Sequence, residues 1–454
     1  MKLRQILCAV LCAAMLLGAA AIPAQAKSCN CGEVVQIFMD GFGSTLYYNY
    51  GTPEQEEAGM ARTDDLAFGI GRVFRGVRLS VWERSWDPLA GGLGEMFAGV
   101  MGHLRMDLQG NSVEPITNHW RLNPAQDHRE SPQYYFNYDF RIDPFEAAKQ
   151  LNEFVEAVIK ATGHSKIALT GSSEGAIVTM TYLKVYGTKR LDTLILLNGA
   201  HMGLTLVGEL FTDKFALSGP AIANFIADND DGSGNLKLAM RLLEMSRVLD
   251  IAGPLGRGLM GAMGERLYAD TLIPLFGQMP ILWAFVPTEY YPEARKLLSD
   301  PKYATLLAMA DKYHKEVMSQ ADALLKNARA KGVKVALISH YGLHPIPVTE
   351  NSTYQCDSLI DTVFEASGGI AAPIGQTLPP SDSKYRSPDG IVDAATCVLP
   401  DQTWFIKGAA HESGPSRALR DWIIHSKKQP TVWDSPEWPQ WLVKVEGKAQ
   451  ALAG

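Results

Sequence analysis

The chain is poor in cysteine, in basic charge and, beyond its first residues, in long apolar runs. Six cysteines among 454 residues include no Cys-x-x-Cys spacing, so the sequence suggests no zinc or redox motif. We expect no metal site and no cofactor. Metal ligands among His103, His119 and His128, which fall in an irregular region with several acids, are the alternative. The formal net charge is -7, which excludes nucleic acid as the expected partner because such partners require a basic surface. Past the N-terminus, no stretch is apolar for long enough to span a bilayer.

The N-terminus has the three parts of a secretory signal. Its first residues carry positive charge, an apolar run covers residues 6–22, and Ala24-Gln25-Ala26 has the small-x-small form of a cleavage site. We therefore expect residues 1–26 to be a cleaved signal peptide and the chain to be secreted, periplasmic or held in the cell envelope. An uncleaved membrane anchor is the alternative.

Cleavage there would leave four cysteines, namely Cys29, Cys31, Cys356 and Cys397. An oxidising compartment permits disulfides. The sequence favours a bond between Cys356 and Cys397, since both fall in predicted loops near the same end of the sheet, but it does not fix the connectivity.

Short β-branched and apolar runs alternate with helical patterns along much of the chain. The runs that predict strands cover residues 34–39, 166–170, 191–197, 333–338 and 403–406. A helix is predicted to begin at Asp143-Pro144, because aspartate caps helices and proline suits the first helical position. Alternating strands and helices predict an α/β fold with a mostly parallel central sheet flanked by helices.

One long block lacks strand patterns. Residues 204–328 are helical in pattern and rich in leucine, glycine, alanine and methionine. We expect this block to be an inserted helical cap, or lid, between a first core part at 27–203 and a second at 329–454.

A glycine-rich turn with a central serine lies between a predicted strand and a predicted helix. Gly171-Ser172-Ser173-Glu174-Gly175 has Gly-x-Ser-x-Gly spacing, which places a serine hydroxyl on a sharp turn at the top of a sheet. The spacing selects Ser173, rather than Ser172, as a nucleophile and indicates an α/β-hydrolase fold. An ordinary strand–helix turn is the alternative.

A serine nucleophile needs a general base, and in this fold the chain order is serine, acid, histidine. His411 follows the last predicted strand, where the base belongs, and is therefore the predicted base. Five other histidines follow the serine: His201, His314, His340, His344 and His425. Of these, His340 and His344 could line the site, and His425 lies on a predicted amphipathic helix.

The acid is expected between the strand at 333–338 and His411. Asp389 is favoured because an Asp-Gly turn fixes its position and the apolar pair Ile391-Val392 anchors the loop. Asp393 and then Asp361 are the runners-up.

The negative oxygen that forms during acyl transfer needs backbone N–H donors. The amide after the nucleophile, that of Glu174, is one predicted donor. The other is the amide of Phe42, in the glycine turn after the first predicted strand.

Several of these segments together resemble the lecithin:cholesterol acyltransferase-like lipases. The similar segments are residues 40–46 (Asp-Gly-Phe-Gly-Ser-Thr-Leu), 138–144 (Tyr-Asp-Phe-Arg-Ile-Asp-Pro), 166–175, 341–345 and 389–392. The resemblance implies a serine lipase or esterase acting on lipid or other ester substrates, with transient contact to a membrane or micelle surface. Acyl transfer to an alcohol and a catalytically silent binding protein are the alternatives.

Overall fold

The computed structural model describes residue 29 and residues 31–59, 75–76, 78–79, 82–83, 87–123, 125–214, 219–229, 273–411 and 413–452. The predicted signal peptide and four methionines of the predicted cap, Met240, Met245, Met260 and Met263, lie outside these residues. Within the described ranges, no helix has both the length and the apolarity needed to cross a membrane.

The strands, numbered in chain order, are short except at the centre of the main sheet. They are β1 (Gln36–Met39), β2 (Leu46–Tyr48), β3 (Glu56–Ala58), β4 (Ile116–Thr117), β5 (Gln133–Phe136), β6 (Ile167–Ser172), β7 (Leu191–Leu197), β8 (Lys334–Tyr341), β9 (Ile370–Ala371), β10 (Val392–Asp393), β11 (Thr403–Lys407), β12 (Trp441–Val445) and β13 (Lys448–Ala451). Eight of them form one sheet in the order β13-β12-β11-β8-β7-β6-β1-β5, and the rest form a β10-β9 pair and a β3-β2-β4 sheet. In the main sheet β13 is antiparallel to β12, and the other neighbours are parallel.

The helices follow the same numbering. They are α1 (Asp87–Met101), α2 (Pro144–Thr162), α3 (Gly175–Tyr186), α4 (Thr205–Leu210), α5 (Gly219–Asn229), α6 (Ile273–Leu275), α7 (Pro280–Ala284), α8 (Tyr291–Ala294), α9 (Ala304–Glu316), α10 (Ala321–Ala330), α11 (Thr362–Glu365) and α12 (Arg417–His425). The predicted cap of α2 is confirmed, because the Asp143 side chain accepts a hydrogen bond from the Phe145 amide (3.1 Å).

Helices cover both faces of the main sheet. On β7, Leu194 and Leu196 belong to the core that includes α2, α3 and α10, whereas Ile195 and Leu197 belong to the core that includes α12. Alternate residues of a strand point to opposite faces, so one apolar run serves both cores. Burial of each such side chain contributes about 1.5–3 kcal/mol to the stability of the folded state, compared with leaving the side chain exposed to water. The predicted α/β fold with a mostly parallel, helix-flanked sheet is confirmed.

All five predicted strands are present with small shifts of their ends. The strand predicted at 191–197 has those bounds, and the strand predicted at 333–338 extends to Tyr341. Among the residues described between β7 and β8, the regular elements are helical, from α4 to α10. The division of the chain into two core parts and a cap stays a prediction.

The carboxyl ends of the parallel strands meet at one edge of the sheet, so the loops that follow them are neighbours. Gly41 follows β1, Ser173 follows β6, Asn198 follows β7 and His411 follows β11. The loop after β8 carries Asp357. The predicted nucleophile, Ser173, and the predicted base, His411, thus lie at the same edge of the sheet.

Candidate active site

Ser173 sits on the sharp turn between β6 and α3. Its φ is +54°, a left-handed conformation that costs a non-glycine residue about 1–3 kcal/mol. Its amide donates to the carbonyl of Leu197 (3.0 Å), and its own carbonyl accepts from the amide of Ala200 (3.0 Å). A Cβ on Gly175 would lie 2.7 Å from the carbonyl oxygen of Met39, so glycine allows α3 to begin against β1. These contacts hold the serine in its strained position.

The imidazole of His411 reaches Ser173 from the loop after β11. Its Nε2 lies 2.8 Å from Oγ of Ser173. The backbone of the histidine is fixed on two sides, since Asn198 Nδ2 donates to its carbonyl and its amide donates to the carbonyl of Asp357, both at 2.8 Å. The structure therefore brings together the predicted nucleophile and the predicted base.

The carboxylate at the other imidazole nitrogen belongs to Asp357. Its Oδ2 accepts from Nδ1 of His411, and its Oδ1 accepts from the amides of Leu359 (2.9 Å) and Ile360 (2.8 Å). Burial by itself would raise the pKa of this fully buried group, but the charge and hydrogen bond of His411 lower the pKa to about 2. Asp357 is thus ionised at neutral pH. With Nδ1 carrying the imidazole proton, Nε2 can accept the proton of Ser173.

A second buried carboxyl supports Asp357. Oε2 of Glu365 accepts from the amide of His340 (2.6 Å), and burial together with the charge of Asp357 raises the Glu365 pKa well above its usual value. Two adjacent carboxylates in a buried site do not both ionise, and the raised pKa of Glu365 favours its protonated form, which can donate to Asp357. Ligand atoms of Asp357, Glu365 and His411 lie within 4.8 Å of one another, and the hydrogen bond between His411 and Asp357 belongs to this group. We assign no metal to this group.

The structure does not bring Asp389, the predicted acid, to His411. Its Oδ2 accepts from Nζ of Lys407 (2.9 Å) and from the hydroxyl of Tyr341 (3.0 Å), and its Oδ1 accepts from Oγ of Ser387 (2.6 Å). These bonds tie together the ends of β8 and β11. The prediction is corrected accordingly: Asp389 has a structural position, and Asp357 occupies the place of the acid.

The two runners-up also bind elsewhere. Asp393 accepts from Oγ of Ser383 (3.0 Å). Asp361 accepts from the hydroxyl of Thr205 (2.6 Å), and burial raises its pKa to about 7. Neither is available to orient the imidazole.

The other histidines after Ser173 have partners or places of their own. His201 Nε2 lies 2.6 Å from Oγ of Ser367, His314 Nε2 lies 2.9 Å from the carbonyl of Trp283, and His344 Nδ1 lies 2.7 Å from Asp228. His340 is buried, which lowers its pKa to about 4, and the ring of His425 contacts the carbonyl of Asp421 on its own helix. Each is placed by packing or by local hydrogen bonds.

The turn after β1 forms the wall beside Ser173. A Cβ on Gly41 would lie 2.5 Å from Cβ of Ser173 and 3.3 Å from the amide nitrogen of Glu174. The ring of Phe42 is held by Phe140 and Phe285, with centroid distances of 4.7 and 6.2 Å. Gly41, the neighbour of Phe42 in the chain, therefore lies against both Ser173 and the backbone amide of Glu174, one of the two predicted donors.

The side chain of Glu174 lies away from that space. Its Oε1 accepts from the hydroxyl of Tyr138 (2.8 Å), and the side chain is fully buried. Burial raises the pKa of Glu174 well above its usual value, which favours the neutral carboxyl over the charged one.

Ser173 and His411 open into a cavity of about 540 Å³. The other polar residues that line it are Asp40, Ser44, Thr45, Asn137, Ser172, Asn198, Ser413, Ser416 and Arg420. The guanidinium of Arg420 lies 4.9 Å from the ring centroid of Phe38, on one wall. The volume is in the range of small-molecule sites, and the wall near Arg420 suits a polar group.

Sequence reasoning missed Asp357, although a signal for it existed. Asp357-Ser358-Leu359-Ile360 and Asp389-Gly390-Ile391-Val392 share one pattern, an aspartate followed after one residue by an apolar pair. The first of these lies nearer in the chain to the end of β8. That proximity would have favoured Asp357.

The predicted disulfide is not formed, because Cys356 and Cys397 are both free thiols. The thiol of Cys356 donates to the carbonyl of Leu343 (3.1 Å), whereas Cys397 packs in a separate apolar cluster with Tyr341 and Phe405. Both thiols are buried, and burial raises the pKa of Cys397 to about 12.

No family model and no curated protein matches this chain. Among solved structures, it is similar to a chain of "The crystal structure of Tle4-Tli4 complex", with 13% sequence identity and a TM-score of 0.20. The match covers 39% of this chain and 47% of that chain, so it spans about half the length of its structural neighbour. A likeness at this level carries no argument about function.

Proposed function

We propose that the protein is an exported serine hydrolase of the α/β-hydrolase fold that cleaves carboxylic ester bonds in lipid-like substrates. The observation that carries this proposal is the chain of hydrogen bonds from Ser173 through His411 to the buried carboxylate of Asp357. The order serine, acid, histidine along the sequence is that of α/β-hydrolases. The strained serine between β6 and α3 matches the nucleophile turn of the same class.

In the proposed reaction, Oγ of Ser173 attacks the ester carbonyl carbon while Nε2 of His411 takes the hydroxyl proton. The carbonyl oxygen becomes negative and accepts from the amides of Phe42 and Glu174. The imidazolium, stabilised by Asp357, then gives its proton to the leaving alcohol, and the acyl group stays on Ser173. Water repeats the sequence and releases the acid.

The lipid-like part of the proposal is supported by the apolar helical segment between β7 and β8. Met279, Ile281 and Trp283 are fully buried there, and Phe285 packs against Phe42 beside the nucleophile. We propose that residues 204–328 form a cap that covers an acyl chain, with the polar end of the substrate toward Arg420. Contact with a membrane or micelle surface is part of this proposal, since such substrates collect there.

The test combines covalent labelling with a chain-length series. A fluorophosphonate should modify the protein once per chain, with the added mass on the peptide that contains Ser173. The p-nitrophenyl esters should be hydrolysed, with kcat/KM rising from short to long acyl chains. Turnover that requires an added alcohol would identify acyl transfer instead. Absence of both labelling and turnover, in protein shown to be folded, would overturn the enzymatic proposal and leave a binding role.

Gly41→Ala should lower kcat/KM for these esters by about 10²–10³-fold, the usual cost of losing an oxyanion donor. The added methyl group would lie 2.5 Å from Cβ of Ser173, so the turn must move and carry the Phe42 amide with it. Gly91→Ala, on α1 where a Cβ meets nothing within 4 Å, is the matched control and should keep wild-type kinetics. Equal kinetics for the two variants would place the oxyanion elsewhere.

A further inference from the structure

Two cysteines and two histidines meet at the edge of the sheet opposite Ser173. Sγ of Cys29 lies 3.3 Å from Nε2 of His128, and Sγ of Cys31 lies 3.6 Å from Nε2 of His164. All four potential ligand atoms lie within 4.8 Å of one another. The segment is also anchored by its backbone, since the amide of Cys29 donates to the carbonyl of Gly163 (3.0 Å).

The register of the sheet explains why these residues meet. Gln36 of β1 pairs with Gln133 of β5 and with Ala168 of β6, and the three strands are parallel. In the segment before each strand, a cysteine or histidine precedes the paired residue by four or five positions. These residues are Cys31, His128 and His164. Three segments that are distant in the chain thus enter the sheet side by side with ligand side chains at matching positions.

We propose that these four side chains bind one Zn²⁺ ion. Two thiolates and two imidazoles form a standard tetrahedral zinc set, with Zn–S near 2.3 Å and Zn–N near 2.0–2.1 Å, so that ligand atoms lie about 3.3–3.8 Å apart. The sulfur–nitrogen distances of 3.3 and 3.6 Å already fall in that range. On binding, both thiol protons pass to solvent, and the two thiolates balance the charge of the ion.

The site is structural. Four protein ligands leave no open position for substrate or water, in contrast to catalytic zinc sites. It lies at the amino ends of β1, β5 and β6, whereas Ser173 follows the carboxyl end of β6. A bound ion would link the segment before β1 to the segments before β5 and β6, the two strands that pair with β1. This link would stabilise the folded chain. The proposal does not depend on the proposed esterase activity.

The test measures metal content of the protein purified after export without chelators. We expect one zinc per chain by elemental mass spectrometry, and loss of zinc in Cys29→Ser/Cys31→Ser and in His164→Ala. His119→Ala, at an exposed histidine, is the matched control and should retain the metal. Co²⁺ added to zinc-free protein should give the intense visible bands of a tetrahedral thiolate site in the wild type and in the control variant.

Chelation should lower the melting temperature of the wild type by several degrees and leave that of the double cysteine variant unchanged. If the variants do not fold, the chelator and Co²⁺ titrations of the wild type still decide the question. Wild-type protein that takes up neither zinc nor Co²⁺ would overturn the proposal. A disulfide between Cys29 and Cys31 in zinc-supplemented preparations, detected as a protein mass lower by two hydrogen atoms, would also overturn the proposal.

Discussion

Replacement of Ser173 by alanine is expected to lower kcat/KM for a p-nitrophenyl ester by about 10⁵-fold or more, because no acyl-enzyme can form. Ser172 gives the matched control, since it is also a serine that borders the cavity but belongs to β6. Ser172→Ala should stay within about tenfold of the wild type, because it leaves the Ser173–His411 pair intact.

The decisive measurement is rapid-mixing kinetics beside the steady state. Wild-type protein and Ser172→Ala should release a burst of p-nitrophenol equal to the number of active sites if deacylation is the slower step. Ser173→Ala should show no burst and no fluorophosphonate label. Comparable losses in the two variants, or a burst that survives in Ser173→Ala, would contradict the assignment of the nucleophile.

The parts of the site that sequence reasoning predicted are those encoded locally. The glycines of residues 171–175 specify the sharp turn around Ser173, because they let the strand and the helix pack close to it. His411 was predicted from its position in the loop after the last predicted strand. The buried strands could also be predicted from local sequence, since continuous apolar runs such as Leu191–Leu197 are typical of parallel sheets buried on both faces.

The acid could not be predicted in this way because two loops carry the same local pattern. Asp357 and Asp389 each use one carboxylate oxygen to accept from amides or hydroxyls of their own loop. What separates them is the partner of the second oxygen, which is His411 for Asp357 and Lys407 for Asp389. That choice depends on how a long loop folds across the sheet edge, which is tertiary information.

The cluster of Cys29, Cys31, His128 and His164 could not be predicted from the sequence for a related reason. Its two cysteines have Cys-x-Cys spacing. Its histidines, His128 and His164, lie far from the cysteines along the chain. Only the pairing of β1 with β5 and β6 brings them together. The raised pKa values of Glu174 and Glu365 could likewise not be predicted from the sequence, since they follow from burial.

Asp357→Asn should lower kcat by about 10³–10⁴-fold, the usual cost when the acid of a triad can no longer fix the histidine tautomer. An asparagine amide can donate to Nδ1, which would place the imidazole proton on Nε2 and prevent Nε2 from accepting the proton of Ser173.

The Asp357→Asn variant should also be less stable than the wild type. Because the pKa of Asp357 is lowered from 3.8 to about 2, its stabilising effect is complete above pH 4–5 and is lost as the pH falls toward 2. The difference in melting temperature from the wild type should therefore shrink as the pH falls below about 4.

Asp389→Asn is the matched control, since it makes the same chemical change in a loop of the same pattern. It weakens the pair with Lys407, whose side chain is 34% exposed, so we expect a loss of about 1 kcal/mol in the free energy of unfolding and little change in kcat. Steady-state kinetics and thermal melts of both variants separate the two roles. A large kcat loss in Asp389→Asn with a small one in Asp357→Asn would show that the loops exchange roles in the working enzyme, and that His411 takes its carboxylate from the Asp-Gly turn after all.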